Sequence, residues 1–310
     1  MTKFTTAVTA FAVAGTCCAV PLNAQGTVPG GGSIRGSIRG WNALDSALGR
    51  KGAAQPGEVM KYSFPRSDLD VTANGVKLKP AFALGSWIAF KRVGRSTMAM
   101  GDLVLVEDEV GNVMTRLQAG GVEQTALHNH VLGESPRVMY LHISAHGDEV
   151  KIARTIREAL ALTGTPLAAP SAAGIAAIDL DTAAVANALG YRGKVSGGVY
   201  QVSVSRAQTI VENKMEVPAS MGLATVINFQ PTGGGKAAIT GDFVMTAGEV
   251  NRVIRALQAH RIQTTALHTH MLTESPRLFF MHFWANDNAV TLARSPRAAL
   301  AEMRVQPAAR

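Results

Sequence analysis

The segments TALHNHVLGESPR (Thr125 to Arg137) and TALHTHMLTESPR (Thr265 to Arg277) are near-copies of one another. They lie about 140 residues apart, and smaller matches share that offset. Ala47-Leu48-Gly49 recurs as Ala188-Leu189-Gly190, Gly101-Asp102 as Gly241-Asp242, and Leu117-Gln118-Ala119 as Leu257-Gln258-Ala259. Only two copies at so long a period indicate a duplicated domain, not a solenoid. The expected boundaries are 41–162 for the first repeat and 178–310 for the second, with an Ala-, Pro- and Gly-rich linker over 163–177.

The local patterns are mixed. Lys61 to Pro65, Trp87 to Phe90 and Leu103 to Val106 have strand character. Glu109 to Gln118 and Glu249 to Gln258 read as helices, the second with Thr246 and Glu249 at capping-box spacing. Each His-bearing block reads as a strand, a tight turn at Ser-Pro and a return strand (Val138 to Ala145; Leu278 to Ala285). Asp148 and Asp287 are expected to cap a last helix in each copy, with Pro296 shortening or kinking the second. The fold class is therefore α+β: two tandem copies of one domain, each an antiparallel sheet with flanking helices and a His-bearing hairpin.

All eight histidines lie in or beside the repeated block, and six of them match in pairs: His128/His268, His130/His270 and His142/His282. His146 and His260 have no counterpart. Strand side chains alternate faces, so His128 and His130 are expected on one face, with His142 near them across the hairpin. Three convergent imidazoles in each copy form a candidate divalent-metal site, with Zn the first expectation and Cu, Ni or Fe the alternatives. Glu134 and Glu274 complete an H-x-H-x3-E spacing. A straight strand would carry each Glu about 13 Å past the second His, so it can ligate only if the chain bends; otherwise it pairs with Arg137 or Arg277. The competing reading of the histidines is a hydrogen-bonded network on a half-buried sheet face. Against it, the two copies keep the polar positions while Met139-Tyr140-Leu141 drifts to Phe279-Phe280-Met281.

The H-x-H-x3-E spacing resembles the first metal motif of cupins, but no second cupin motif follows. Gly233-Gly234-Gly235-Lys236 lacks the Ser/Thr of a phosphate loop and reads as a hairpin loop. Ser135 and Ser275 lack a nucleophile elbow and read as turn residues.

The chain has 310 residues, 47% of them hydrophobic and 17% charged, which is ample for packed cores and unlike disorder. Its net charge of +8 is scattered and lacks the aromatic interleaving of nucleic-acid binders, so no nucleic-acid partner is expected; anionic cell-envelope polymers fit the charge better. The apolar run Ala7 to Val20 is shorter than the ~20 residues of a spanning helix, and Leu22-Asn23-Ala24 offers a cleavage site. Residues 1–24 therefore read as a signal peptide, 25–40 as a flexible leader, and the mature protein as periplasmic or secreted with no transmembrane segment. Both cysteines, Cys17 and Cys18, fall inside the signal, so the mature chain holds no thiol ligand.

GDLVLVEDEV, TALHNHVLGESPRVMYLHISAHGD, FQPTGGGKAAITGDFV and TALHTHMLTESPRLFFMHFWAND together resemble the LppY/LpqO family of exported bacterial proteins. The resemblance implies a duplicated domain of unassigned function and export; it implies no reaction. Three readings of function follow: an exported protein with two equivalent His-rich metal sites, a metalloenzyme whose three-His site activates a water, or a metal-free envelope-binding module. Four protein ligands on an ion favour binding, and an open position favours catalysis. If export occurs as expected, the intact mass of chain from the periplasmic fraction will correspond to Gln25 as first residue. A diacylated mass would place a lipid on Cys17 or Cys18 instead.

Overall fold

The computed structural model describes residues 40–168 and 177–308. The expected signal peptide, nearly all of the leader and the middle of the expected linker lie outside these residues. No helix among the described residues is long and apolar enough to cross a membrane.

The first repeat opens with the helix Asn42–Leu48 and continues through β1 (Ala53–Gln55), β2 (Val59–Pro65), β3 (Thr72–Ala73), β4 (Val76–Lys77), the short helix Pro80–Ala83, β5 (Gly85–Val93) and β6 (Ser96–Val106). The helix Glu107–Ala119, β7 (Glu123–His128), β8 (Glu134–Ser135), β9 (Val138–Gly147) and the helix Glu149–Leu160 complete it. Its main sheet is antiparallel, in the order β1-β2-β5-β6-β9-β7. The second repeat runs through the helix Thr182–Leu189, β10 (Lys194–Ser196), β11 (Val199–Ser205), β12 (Val211–Glu212), β13 (Met215–Glu216), β14 (Ala224–Gly233), β15 (Lys236–Thr246), the helix Ala247–Ala259, β16 (Gln263–His268), β17 (Leu278–Asn288) and the helix Ala289–Ala301. Its sheet has the matching order β10-β11-β14-β15-β17-β16. The α+β class and the duplication are thus as the sequence predicts.

Both faces of each sheet are covered, which is why β6 and β15 are buried along almost their whole length instead of alternating. One face of the first sheet packs Tyr62, Phe90, Leu103 and Leu141 against Val113, Leu117, Ile152 and Ile156 of its helices. The other face meets the second repeat through an exchange of arms. Val71, Leu78, Phe82 and Leu84 of repeat one cluster with Val199, Ala238 and Trp284 of repeat two. Reciprocally, Ile210, Val217, Met221 and Leu223 cluster with Val59, Ala89, Met98 and Met100. Backbone groups of the first arm find polar partners in the second sheet: Asn228 donates to Phe82 O (3.0 Å) and Gln230 to Lys77 O (2.8 Å).

A buried ion pair recurs at the same place in each repeat. Arg66, 1% exposed, donates to both oxygens of Glu109 and to Val104 O. Arg206 does the same with Glu249 and Val244 O. Each Glu also caps its helix, accepting from the N–H of Val106 (2.9 Å) or Thr246 (2.7 Å), and holds the chain after the last helix through Gly164 N or Arg304 N. Burial alone would raise the Glu249 carboxyl; the Arg206 bonds and backbone N–H groups overcome it and hold the group below its ordinary value.

Three local expectations are corrected. Asp148 caps its helix through Lys151 N, but in the second repeat Asn288, not Asp287, is the cap, accepting from Thr291 N. β17 runs through Asp287, pairing it with Ala237, so the helix begins one residue later. Pro296 does not end that helix, which continues to Ala301. Packing of its buried face, Pro296 included, overrides the lost hydrogen bond. The Ser-Pro segment is not a tight turn: β7 pairs with β9, but residues 129–137 form a longer excursion in which β8 pairs with β3 of the arm.

Glu249→Gln leaves Arg206 buried without its counter-charge and should cost about 3–5 kcal/mol in urea unfolding. Asp70→Asn, which breaks the exposed Lys77–Asp70 pair, should cost no more than about 1 kcal/mol.

Candidate metal centre

β7 ends on His128, and β9 carries His142 two residues beyond its cross-strand partner, on the same face; their rings lie 5.0 Å apart. β16 and β17 place His268 and His282 in the same way, 4.9 Å apart. This face of each sheet is the one turned to the other repeat, so the two sets meet. His128 and His268 stack on each other with centroids 3.5 Å apart. His130 stacks with His282, and His142 with His270, at 3.7 Å each. Every one of these close pairs takes one member from each repeat. The expected picture of two self-contained triplets is corrected: the structure gathers all six imidazoles into one cluster.

His130 and His270 lie past the strand ends, not on the strands as expected, because the chain bends after His128 and His268. Their positions are set by the opposite repeat. Thr265 Oγ1 donates to His130 O (2.5 Å), and Thr125 Oγ1 donates to His270 O (2.6 Å). The Thr that opens each T-A-L-H-x-H motif therefore holds the second His of the other copy. Tyr140 stacks on His130 at 3.2 Å and Phe280 on His270 at 3.4 Å.

The chemistry of the cluster follows from its burial. Desolvation, joined by the neighbouring imidazoles, pushes His130 and His142 well below the ordinary histidine value. Burial takes His128 down to about 3 and His282 to about 4, and lowers His268 and His270 as well. The rings are thus neutral, the form that offers a lone pair to an ion. His128 Nδ1 donates to Asn129 O (3.0 Å) and His282 Nδ1 to Gly241 O (2.7 Å), which leaves Nε2 of each ring as the free donor atom. Nε2 of His128, His130, His142 and His282 and Nδ1 of His268 are buried without hydrogen-bond partners. Each such atom costs about 1–3 kcal/mol unless a ligand satisfies it.

Two carboxylates complete the cluster. Asp102 lies opposite His142 in the β6–β9 ladder, and Asp242 lies opposite His282 in the β15–β17 ladder. Asp102 Oδ2 is 3.9 Å from Nε2 of both His130 and His142, and Asp242 Oδ2 is 3.3 Å from His270 Nε2. Burial, with the Asp242 charge adding, raises Asp102 to about 8; burial raises Asp242 to about 6. The sequence signal for them was the repeated Gly-Asp, which strand pairing turns into a site residue.

Three groups of side chains bring potential ligand atoms within 4.8 Å of one another: His128, His142, His268 and His270; His128, His130 and His282; and Asp242, His268 and His282. Glu134 and Glu274 belong to none of them. Glu134 accepts from Val138 N (3.2 Å), and Glu274 accepts from Leu278 N (2.9 Å) and lies 3.5 Å from Arg277. Each glutamate thus meets the first residue of its return strand, while its other oxygen, Oε2, is buried without a hydrogen-bond partner. His146 and His260 also stand apart from these groups.

The fold and cluster define a duplicated α+β protein whose histidines could hold a metal ion. The chain belongs to the family described as Domain of Unknown Function (DUF1259), whose model matches residues 42–162 and again 183–302. No curated protein matches. Solved structures similar to the chain include the trimeric bacterial microcompartment shell protein PduB, at 13% identity and a TM-score of 0.22 over 83% of this chain and 97% of that one. EtuB from Clostridium kluyveri matches at 10% identity and a TM-score of 0.20, over 83% and 95%. At such scores neither likeness carries an argument.

The metal-free protein should lose stability in acid. An imidazole depressed in the folded state binds a proton only after unfolding, so stability falls as pH drops below about 6.5, by about 1.4 kcal/mol per pH unit for each ring that stays neutral. Asp102 works the other way: it holds a proton in the folded state that the unfolded chain releases, so its share of stability grows as pH falls from about 8. Six imidazoles outweigh two carboxyls, and urea midpoints should fall steeply between about pH 6.5 and pH 4. A flat profile there would show that the rings are hydrated and charged.

Proposed function

We propose that this is an exported divalent-metal-binding protein whose two repeats close on one histidine centre. The observation that carries the reading is the group His128, His142, His268 and His270, four neutral imidazoles, His142 and His270 buried and the other two largely so, with ligand atoms within 4.8 Å of one another. An ion bonded to imidazoles at about 2.0–2.1 Å holds its nitrogens about 3.3 Å apart in a tetrahedron. His268 Nε2 and His270 Nε2 already lie 3.1 Å apart. An all-imidazole set with adjacent carboxylates favours Zn, then Cu; Ni and Fe fit less well without further oxygen donors. Export is supported by the apolar start and the Leu22-Asn23-Ala24 cleavage pattern, and by the resemblance to the LppY/LpqO family. Repeat one would span 41–162 and repeat two 178–310. The basic surface, at +8, also suits anionic envelope polymers.

Chelator-treated protein titrated with ZnCl2 should bind tightly by calorimetry. At zinc one hundred times above Kd, a single bound ion should stabilise the fold by about 2.7 kcal/mol. His128→Ala/His268→Ala, which removes the central stacked pair, should weaken binding at least 100-fold. Absence of both heat and thermal shift in folded wild type, with Zn and Cu alike, would overturn the reading.

A further inference from the structure

The six imidazoles are too many for one ion, and no ligand group among the described residues contains all of them. Nor does any group contain His128, His130 and His142 together, the triplet that a self-contained first repeat would need. The groups that do form cross between repeats. Granting the metal-binding reading above, we propose that the centre holds two ions in exchanged half-sites. One ion is bound by His142 of repeat one with His268 and His270 of repeat two. The other is bound by His282 of repeat two with His128 and His130 of repeat one.

Several observations support this partition. His142 lies against His270, and His130 against His282, each at 3.7 Å between centroids. His268 Nε2 and His270 Nε2 are already at the separation of two ligands on one ion. His128, His130 and His282 form a group outright, and His142, His268 and His270 are three of the four members of the largest group. The 140-residue equivalence converts one triplet into the other, residue by residue. His128, the fourth member of the largest group, is claimed by both positions; the equivalence assigns it to the second, as it assigns His268 to the first.

The carboxylates sit where two such positions would share them. Asp102 approaches His142 of one set and His130 of the other, at 3.9 Å each. Asp242 approaches His270 of the first set and groups with His282 of the second. Six neutral imidazoles carry no charge, so two dications leave a net positive charge whatever the protonation of the two carboxylates. Three imidazoles per ion is also the protein donor count of open zinc sites. The pair of ions therefore takes water, hydroxide or a small oxyanion as its remaining ligand.

Metal content of the full chain after zinc loading tests the inference. Wild type should bind two ions. His142→Ala/His270→Ala strips one exchanged half-site and should retain one ion, whereas His130→Ala/His142→Ala damages both and should retain none. The reverse pattern, with one ion kept by His130→Ala/His142→Ala and none by His142→Ala/His270→Ala, would mean that each repeat holds its own ion, and it overturns the exchange. One ion in wild type overturns the two-ion centre but leaves metal binding standing; no ion removes the reading beneath both. Because alanine variants can fail to fold, wild type loaded with Cu(II) provides a second measurement. Two copper ions in one cluster should be spin-coupled, with paramagnetic resonance intensity well below the copper content. Full uncoupled intensity at two coppers per chain would overturn the shared centre.

Discussion

Neutral imidazoles buried between two sheets are the constraint on which this structure turns. A histidine in water is half charged near neutrality, and moving it into a dry interface charged would cost several kcal/mol. Here six are held neutral by desolvation and by one another. Their lone pairs point inward, with backbone carbonyls taking the opposite N–H of His128 and His282. Such an arrangement is unfavourable in isolation, because five ring nitrogens, Nε2 of His128, His130, His142 and His282 and Nδ1 of His268, have no hydrogen bonds. It is tolerated because the sheets are pressed together by apolar arms on either side.

Those arms pack the two repeats into one compact unit. Phe82 and Leu84 of the first repeat reach Trp284 of the second, and Met221 and Leu223 of the second reach Met98 and Met100 of the first. The same reciprocity appears at the hydrogen-bond level, where Thr125 and Thr265 each hold the other copy's bent His segment. Duplication thus supplies half of one histidine cluster from each copy, three imidazoles apiece, and it explains why the T-A-L-H block is the best-preserved stretch between the copies. Its Thr, both His and the strand end answer to the partner repeat as well as to their own sheet.

The Arg66–Glu109 and Arg206–Glu249 pairs show how little of the polar framework announces itself in the chain. Four charged residues scattered among 52 formally charged ones carry no periodic signal. Only the fold brings Arg66, at a strand end, onto Glu109 in the first turn of a helix. Glu109 and Glu249 were visible as helix-start residues, but their larger role is to neutralise a buried guanidinium and fasten the following chain.

The sequence by itself determined the duplication, the α+β class, most strands and helices, and the identity of the six matched histidines. These follow from local periodicity and from comparing one half of the chain with the other. It also narrowed Glu134 and Glu274 to two roles. Only the tertiary structure removed His130 and His270 from their strands, brought Asp102 and Asp242 to the cluster, and merged two expected triplets into one. The physical reason is that strand parity reports which face a side chain occupies but not what covers that face. Here the cover is the other repeat, about 140 residues away, and no local pattern records a contact of that range.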